Sequence, residues 1–225
     1  MTFSIAARDD ATGMFGIAVA SSSIAVGNRC PWAKAGTGLV LTQHRTDIRS
    51  GPLGLDLLSQ GFSAQETVNI LVAGSDAPGL RQFAALDEQG RAAFFHGPDI
   101  ESIHSGASGR HCVSVGNFLA NAGVSQAMVD GYQASRAKTF AERLLDGLDA
   151  GVAAGGETQQ AMAAALLIVD RQAWPLVDLR VDFEPEPERS LRRLWNAYEP
   201  VVERFVTQVL LPDTLKPLIN SPLTV

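Results

Sequence analysis

A layered α+β sandwich, with helices outside two largely antiparallel sheets, is the fold the sequence predicts. Three observations carry it. Strand-like runs come in pairs joined by short turns, helical stretches come in pairs between them, and two runs, 39–43 and 163–169, are largely apolar. Apolar runs of that length are what central strands covered on both faces look like. A doubly wound sheet would alternate strand and helix one for one instead.

The elements follow in order. Residues 3–7, 16–20 and 39–43 read as the first three strands, with the turn Asp9-Asp10-Ala11-Thr12-Gly13 between the first two and Lys34 opening the third. Helices are predicted over 52–60 and 63–73, separated by Gly61. Ser63 followed by Glu66 has the spacing of a capping box, and Ala64, Val68, Leu71 and Val72 share a helical face. Residues 81–87 and 91–96 flank Glu88-Gln89-Gly90 as a hairpin, and 102–105 and 111–115 add strands. Helices at 125–134 and 138–153 come next, then a hairpin of 163–169 and 176–183 around Asp170-Arg171-Gln172. The last helix, 188–211, carries Pro200 as a kink. The chain reads as one domain over 1–225, with a C-terminal helix at about 185–211 and a short tail, because no linker divides it. A chain of 225 residues, 46% hydrophobic, can bury one core without metals or disulfides.

A net charge of −6 argues against nucleic-acid binding, which needs clustered Lys and Arg. Arg189, Arg192, Arg193 and Arg204 sit among Glu188, Glu199 and Glu203, the mixture of a solvated helix face. Cys30 and Cys112 read as free thiols, Cys112 as a small buried side chain. His96, His104 and His111 lie on separate elements without a carboxylate at ligand spacing, so no metal is expected. Phosphate-cradling loops, a dinucleotide fingerprint and a nucleophile elbow are absent, so no cofactor is expected either. No leader and no apolar run of membrane length is seen, and the expected location is the cytoplasm.

With Met1 removed, Thr2 would head the first strand. A terminal Thr combines a hydroxyl nucleophile with an α-amine of pKa about 8, so nucleophile and base are one residue. Lys34 beside it would favour the nucleophilic form. Thr2, strand, turn, strand and then Lys34 resembles the layout of the N-terminal-nucleophile (Ntn) hydrolase superfamily. More closely, the chain resembles a widespread bacterial family of unknown function described as Ntn-hydrolase-like. The residues that carry this are Thr2-Phe3-Ser4-Ile5-Ala6-Ala7, Ile17-Ala18-Val19-Ala20-Ser21, Ala25-Val26-Gly27, Pro31-Trp32-Ala33-Lys34, Val115-Gly116-Asn117-Phe118-Leu119, Ala154-Gly155-Gly156 and Val177-Asp178-Leu179-Arg180-Val181.

The resemblance implies a four-layer α-β-β-α sandwich. It also implies an amidohydrolase cutting the C–N bond of a small amide or peptide-like substrate. Thr2 would be the nucleophile, Lys34 would tune it, Ser21 would position it, and Asn117 would serve as a substrate or oxyanion donor. His44, Arg45 and Arg49 fall where the superfamily's substrate cleft opens, with Gly116 beside Asn117; the two arginines would suit a carboxylate. Two departures leave a second reading open. Glu157 keeps the family's acid, but 158–163 lacks its Arg and Ser, and 44–49 is more charged than the family pattern. With Met1 retained, the fold would serve as a catalytically inactive ligand-binding or assembly protein. A homodimer or higher homo-oligomer is expected in either case, on the frequency of symmetric assemblies.

Overall fold

The computed structural model describes residues 1–214. Among the described residues, ten strands form two antiparallel sheets. The first hairpin, β1 (Thr2–Arg8) and β2 (Phe15–Ser21), lies at the centre of the larger sheet. Beside β1 lie β8 (Cys112–Asn117) and β7 (His104–Gly109); beside β2 lie β9 (Ala163–Val169) and β10 (Val177–Val181). The smaller sheet runs β3 (Pro31–Lys34), β4 (Gly38–His44), β5 (Arg81–Asp87), β6 (Ala92–His96).

Alternation along the strands sorts side chains into separate cores. Phe3, Ile5 and Ala7 of β1 pack with Met128 of α3 (Val124–Ala134) and with Leu144, Leu145 and Leu148 of α4 (Phe140–Ala153). Ala6, on the opposite face of β1, packs with Ile17, Leu39, Leu41, Leu86 and Val115, drawn from both sheets. Val40, Phe83 and Ala85 pack with Leu58 of α1 (Ser50–Ser59) and with Val68 and Leu71 of α2 (Ala64–Ala73). Close approach of α3 and α4 depends on Gly131, where a Cβ would sit 2.4 Å from that of Ala150.

Local signals are realised as the sequence predicts at several points. Ser63 and Glu66 form the capping box of α2, and Thr139 with Glu142 makes another on α4. Pro200 interrupts the last helix: α5 (Pro187–Tyr198) gives way to a 3-10 turn at Glu199–Val201, and α6 (Val202–Leu210) follows. The tail after 214 lies outside the described residues.

Three expectations are corrected. Lys34 ends β3 instead of opening the next strand, because the turn at Ala35-Gly36-Thr37 intervenes, with Gly36 at φ 63°. Gly116 and Asn117 belong to β8, which runs two residues past the predicted strand end at 115. Arg192 does not sit on a solvated face: it donates to Asp149 Oδ2 at 2.6 Å and Asp146 Oδ1 at 2.9 Å, tying α5 to α4. Among the described residues, no helix is long and apolar enough to cross a membrane.

Candidate active site

The layer between the sheets changes character toward one end. In the larger sheet, Thr2 faces Asn117 in register and Asn117 faces His104. Ser21, one residue past the Phe3–Ala20 pair, extends this row, with its Oγ 3.4 Å from Thr2 Oγ1. Residues directly opposite on antiparallel strands project to the same face. Four polar side chains therefore line up across β2, β1, β8 and β7. A second row, Gln43–Gln82–His96, crosses β4, β5 and β6.

The rows are bonded to each other. Asn117 Nδ2 donates to Gln82 Oε1 at 2.8 Å, and Gln82 Nε2 donates to the Gly116 carbonyl at 2.8 Å and lies 2.8 Å from His96 Nδ1. Gln43 Nε2 donates to Ser4 Oγ at 2.8 Å. Burial, with His104 nearby, holds the His96 imidazole down at about 4, so the ring is neutral.

At the open edge of this layer the hydroxyls of Thr2 and Ser21 both bond the Met1 carbonyl oxygen. Burial lowers the pKa of the terminal amine, against the pull of the Glu157 carboxylate. Glu157 follows the left-handed glycines Gly155 and Gly156 and is only 8% exposed. Its Oε2 accepts from the Ser22 N–H at 3.0 Å, while Oε1 has no partner. Burial pushes this carboxyl up to about 7, despite the Ser22 hydrogen bonds that favour its charged form.

Met1 and Thr2 open onto a cleft of about 420 Å³ whose walls include Arg29, Arg45, Arg81 and His44. Arg81 lies 3.8 Å from Asp47, whereas Arg29 uses only Nη1 on the carbonyls of Ile24 and Ala25 and, like Arg45, forms no ion pair with a described carboxylate. The cleft is therefore rich in guanidinium charge. A second cleft of about 790 Å³ shares His44 and Arg45 and continues past Phe118, Asp99 and Glu101.

His44 and Phe118 stand where the two clefts meet. Their rings stack at 5.6 Å and 14°, and both residues hold positive φ, 65° and 55°. Such backbone in bulky residues is uncommon and marks strained, over-determined positions. His44 Nδ1 lies 2.8 Å from the Leu80 carbonyl, so it carries the proton and Nε2 is the free ring nitrogen. Burial lowers the His44 pKa, which favours the neutral ring.

Of the residues singled out by sequence, Thr2 and Ser21 come together, and His44 and Arg45 line the cleft above them. Asn117 shares Thr2's row; its Nδ2 is committed to Gln82, while its Oδ1 has no partner. Lys34 is not brought to Thr2. It pairs in register with Gly38 at the start of β4, whereas His44 at the end of that strand is the residue that reaches the cleft. Its Nζ donates to Ser59 Oγ on α1 at 2.9 Å. Arg49 is exposed and bound to Asp47 and Asp76. Gly116 is buried within β8, its open side filled by Leu119 and Phe3. Sequence reasoning gave no site role to Arg29, Arg81, Gln82 or Glu157, the last noted only as the family's retained acid. Only Glu157 had a signal, the acid after Gly155-Gly156.

Residues 2–191 match a family described as "Family of unknown function (DUF1028)". The chain belongs to this family. Among solved structures, it is similar to protein SPO2555 from Silicibacter pomeroyi, which carries the same family designation. That match has 31% identity and a TM-score of 0.82, and covers 88% of this chain and 85% of that one. Fainter likenesses are to Anbu (ancestral beta-subunit) from Yersinia bercovieri, at 11% identity and TM-score 0.40 over 96% of this chain and 99% of that one. A Gly-1 mutant of Anbu from Hyphomicrobium sp. strain MC1 gives 11% and 0.43 over 97% and 99%. Both are too distant to bear on function. No curated protein matches the chain.

Proposed function

We propose that this member of the family is an Ntn-type amidohydrolase acting on a small, carboxylate-bearing amide or peptide-like substrate. The observation that carries the reading is the meeting of the Thr2 and Ser21 hydroxyls, 3.4 Å apart, at the floor of a cleft walled by Arg29, Arg45 and Arg81. The helix–sheet–sheet–helix order of the packing clusters fits the four-layer sandwich of such enzymes. Removal of Met1 would free the Thr2 α-amine beside Ser21.

That amine takes the Oγ1 proton, and Oγ1 attacks the substrate carbonyl. The C–N bond breaks with return of the proton to the leaving amine, and water then releases the acyl group from Oγ1. Ser21 holds the amine in place, and Glu157 steadies Ser21 through the neighbouring Ser22 N–H. The guanidinium groups bind the substrate's carboxylate by charge-assisted hydrogen bonds. Asn117 acts through its neighbours as a positioning residue, and Lys34 has no part in this scheme.

Intact-mass analysis before and after an electrophile that acylates terminal threonines tests the reading. Loss of one methionine and a single adduct on Thr2, absent in Thr2→Ala, is the expected result. One observation favours the alternative of an inactive binding protein: Met1 is itself held by two hydroxyls. Met1 retained with no adduct would decide for that alternative.

A further inference from the structure

His44 lines both clefts, yet no step of the proposed hydrolysis uses it. Its ring is clamped: Phe118 stacks on one face at 5.6 Å, and Nδ1 lies 2.8 Å from the Leu80 carbonyl oxygen. A carbonyl only accepts, so Nδ1 carries the proton and Nε2 of the neutral ring is an acceptor. Nε2 makes no hydrogen bond among the described residues and, unlike His96 Nε2, is not sealed from solvent. Burial lowers the His44 pKa and the Leu80 bond opposes it, while the Met1 amine and Arg45 add to the lowering. The ring therefore sits within electrostatic reach of the chain terminus as well as of a guanidinium.

Guanidinium groups only donate, so the arginines take the acceptor end of a ligand and Nε2 takes a donor beside it. Thr2 lines the arginine-walled cleft and not the larger one. A carbonyl attacked by Thr2 Oγ1 therefore lies on the arginine side. The amide nitrogen, one bond away, lies toward His44 where the clefts meet, and the larger cleft receives whatever that nitrogen carries. Leu80, Ile103 and Phe118 give that cleft apolar wall, and the exposed Asp99 and Glu101 give it negative charge.

We propose that the substrate is the N-substituted monoamide of a short dicarboxylic acid. Its free carboxylate binds Arg29 and Arg45, its N–H donates to His44 Nε2, and a neutral or cationic amine substituent fills the larger cleft. His44 thereby sets specificity for a secondary amide. This rests on the hydrolase reading for the place of the scissile bond. On attack the bond from Oγ1 to the carbonyl carbon forms and the C–N bond breaks. The proton taken from Oγ1 passes to the nitrogen, which leaves as a primary amine, and water then cleaves the ester and frees the dicarboxylic acid. Nε2 stays an acceptor throughout, so His44 fixes the nitrogen and transfers nothing.

The test is calorimetric titration of N-butylsuccinamic acid and its N-methyl analogue into Thr2→Ala protein, which cannot turn them over. The N–H compound should bind about tenfold or more tightly than the analogue, the loss expected for one hydrogen bond. With His44→Asn added, the two should bind equally, since Asn suits left-handed backbone but is too short to reach the nitrogen. N-(4-aminobutyl)succinamic acid should bind more tightly than N-(3-carboxypropyl)succinamic acid. Equal affinity for the first pair, a preference that survives in His44→Asn, the reverse order in the second pair, or no saturable heat would each overturn the proposal. Amine release by the wild type, which needs no variant to fold, separates this from the hydrolase reading. Discrimination in binding without release removes the hydrolysis and leaves the recognition. Release from the N–H compound and its analogue at one rate leaves the hydrolysis and removes the recognition.

Discussion

Replacing Glu157 by Gln should change how stability depends on pH, in a direction fixed by its burial. The carboxyl sits at about 7 in the folded chain, against an ordinary 4.5. Below the ordinary value it is protonated folded or unfolded, and pH has no hold on it. As pH rises from there to about 7, the unfolded chain releases the proton while the folded chain keeps it, so stability falls. Above 7 the full cost is present. At roughly 1.4 kcal/mol per pH unit this amounts to a cost on the order of 3 kcal/mol. Glutamine keeps an oxygen for the Ser22 N–H but cannot ionise. The gain in stability of Glu157→Gln over wild type should therefore be about 3 kcal/mol larger at pH 8 than at pH 4.5.

The Met1 amine, its pKa lowered by burial, pulls the other way in the upper part of this range: stability rises with pH as the unfolded amine loses its extra proton. Because the Glu157 carboxylate raises this amine's pKa, Glu157→Gln also removes their mutual attraction, which trims the difference between the two proteins. Urea unfolding followed by tryptophan fluorescence at intervals from pH 4.5 to 8 measures the difference. A difference between the two proteins that stays flat across that range would refute the reasoning, because it would mean Glu157 ionises in the folded chain as it does in water.

Other expectations follow from single contacts. Thr139→Ala removes the capping box of α4 and should cost about 1 kcal/mol in urea unfolding, with Thr139→Ser recovering most of it. Gly51→Ala would place a Cβ 2.3 Å from the Trp32 ring, and should cost on the order of 1–3 kcal/mol and shift the tryptophan emission; an unchanged spectrum and stability would count against that packing. If the chain hydrolyses amides, Arg45→Ala should lower kcat/KM about tenfold for a carboxylate-bearing amide and much less for a neutral analogue. Equal losses on both would remove the case for an anion-binding arginine.

What could be read from the sequence was what neighbours in the chain decide. The hairpins around Glu88-Gln89-Gly90 and Asp170-Arg171-Gln172 and the cap at Ser63 are local, and each emerges within a residue or two of its expected place. Lys34 was misplaced by register: a four-residue strand followed by a tight turn sends it to the wrong end of β4. Glu157 was given no site role because its partner, Ser22, lies 135 residues earlier. The Gln82–Asn117 amide pair, 35 residues apart and on different sheets, has no periodicity that would reveal it. Thr2 and Ser21 could be anticipated together because one hairpin joins them.

The central position of β1 sets a timetable for synthesis. Its residues are made well before their partners, since Ser4 must wait for Val115, 111 residues later, before its ladder with β8 can form. At typical elongation rates of about 5–20 residues per second that delay is on the order of ten seconds. During it the Met1–Thr2 bond belongs to a strand that only β2 can pair, its other edge open to a peptidase. Once β8 docks, Thr2 is 4% exposed and the Met1 carbonyl is clasped by two hydroxyls. For an outside enzyme, removal of Met1 becomes a race against translation, and the winner decides whether the finished molecule begins with an amine poised over a hydroxyl or with a residue plugging its own cleft.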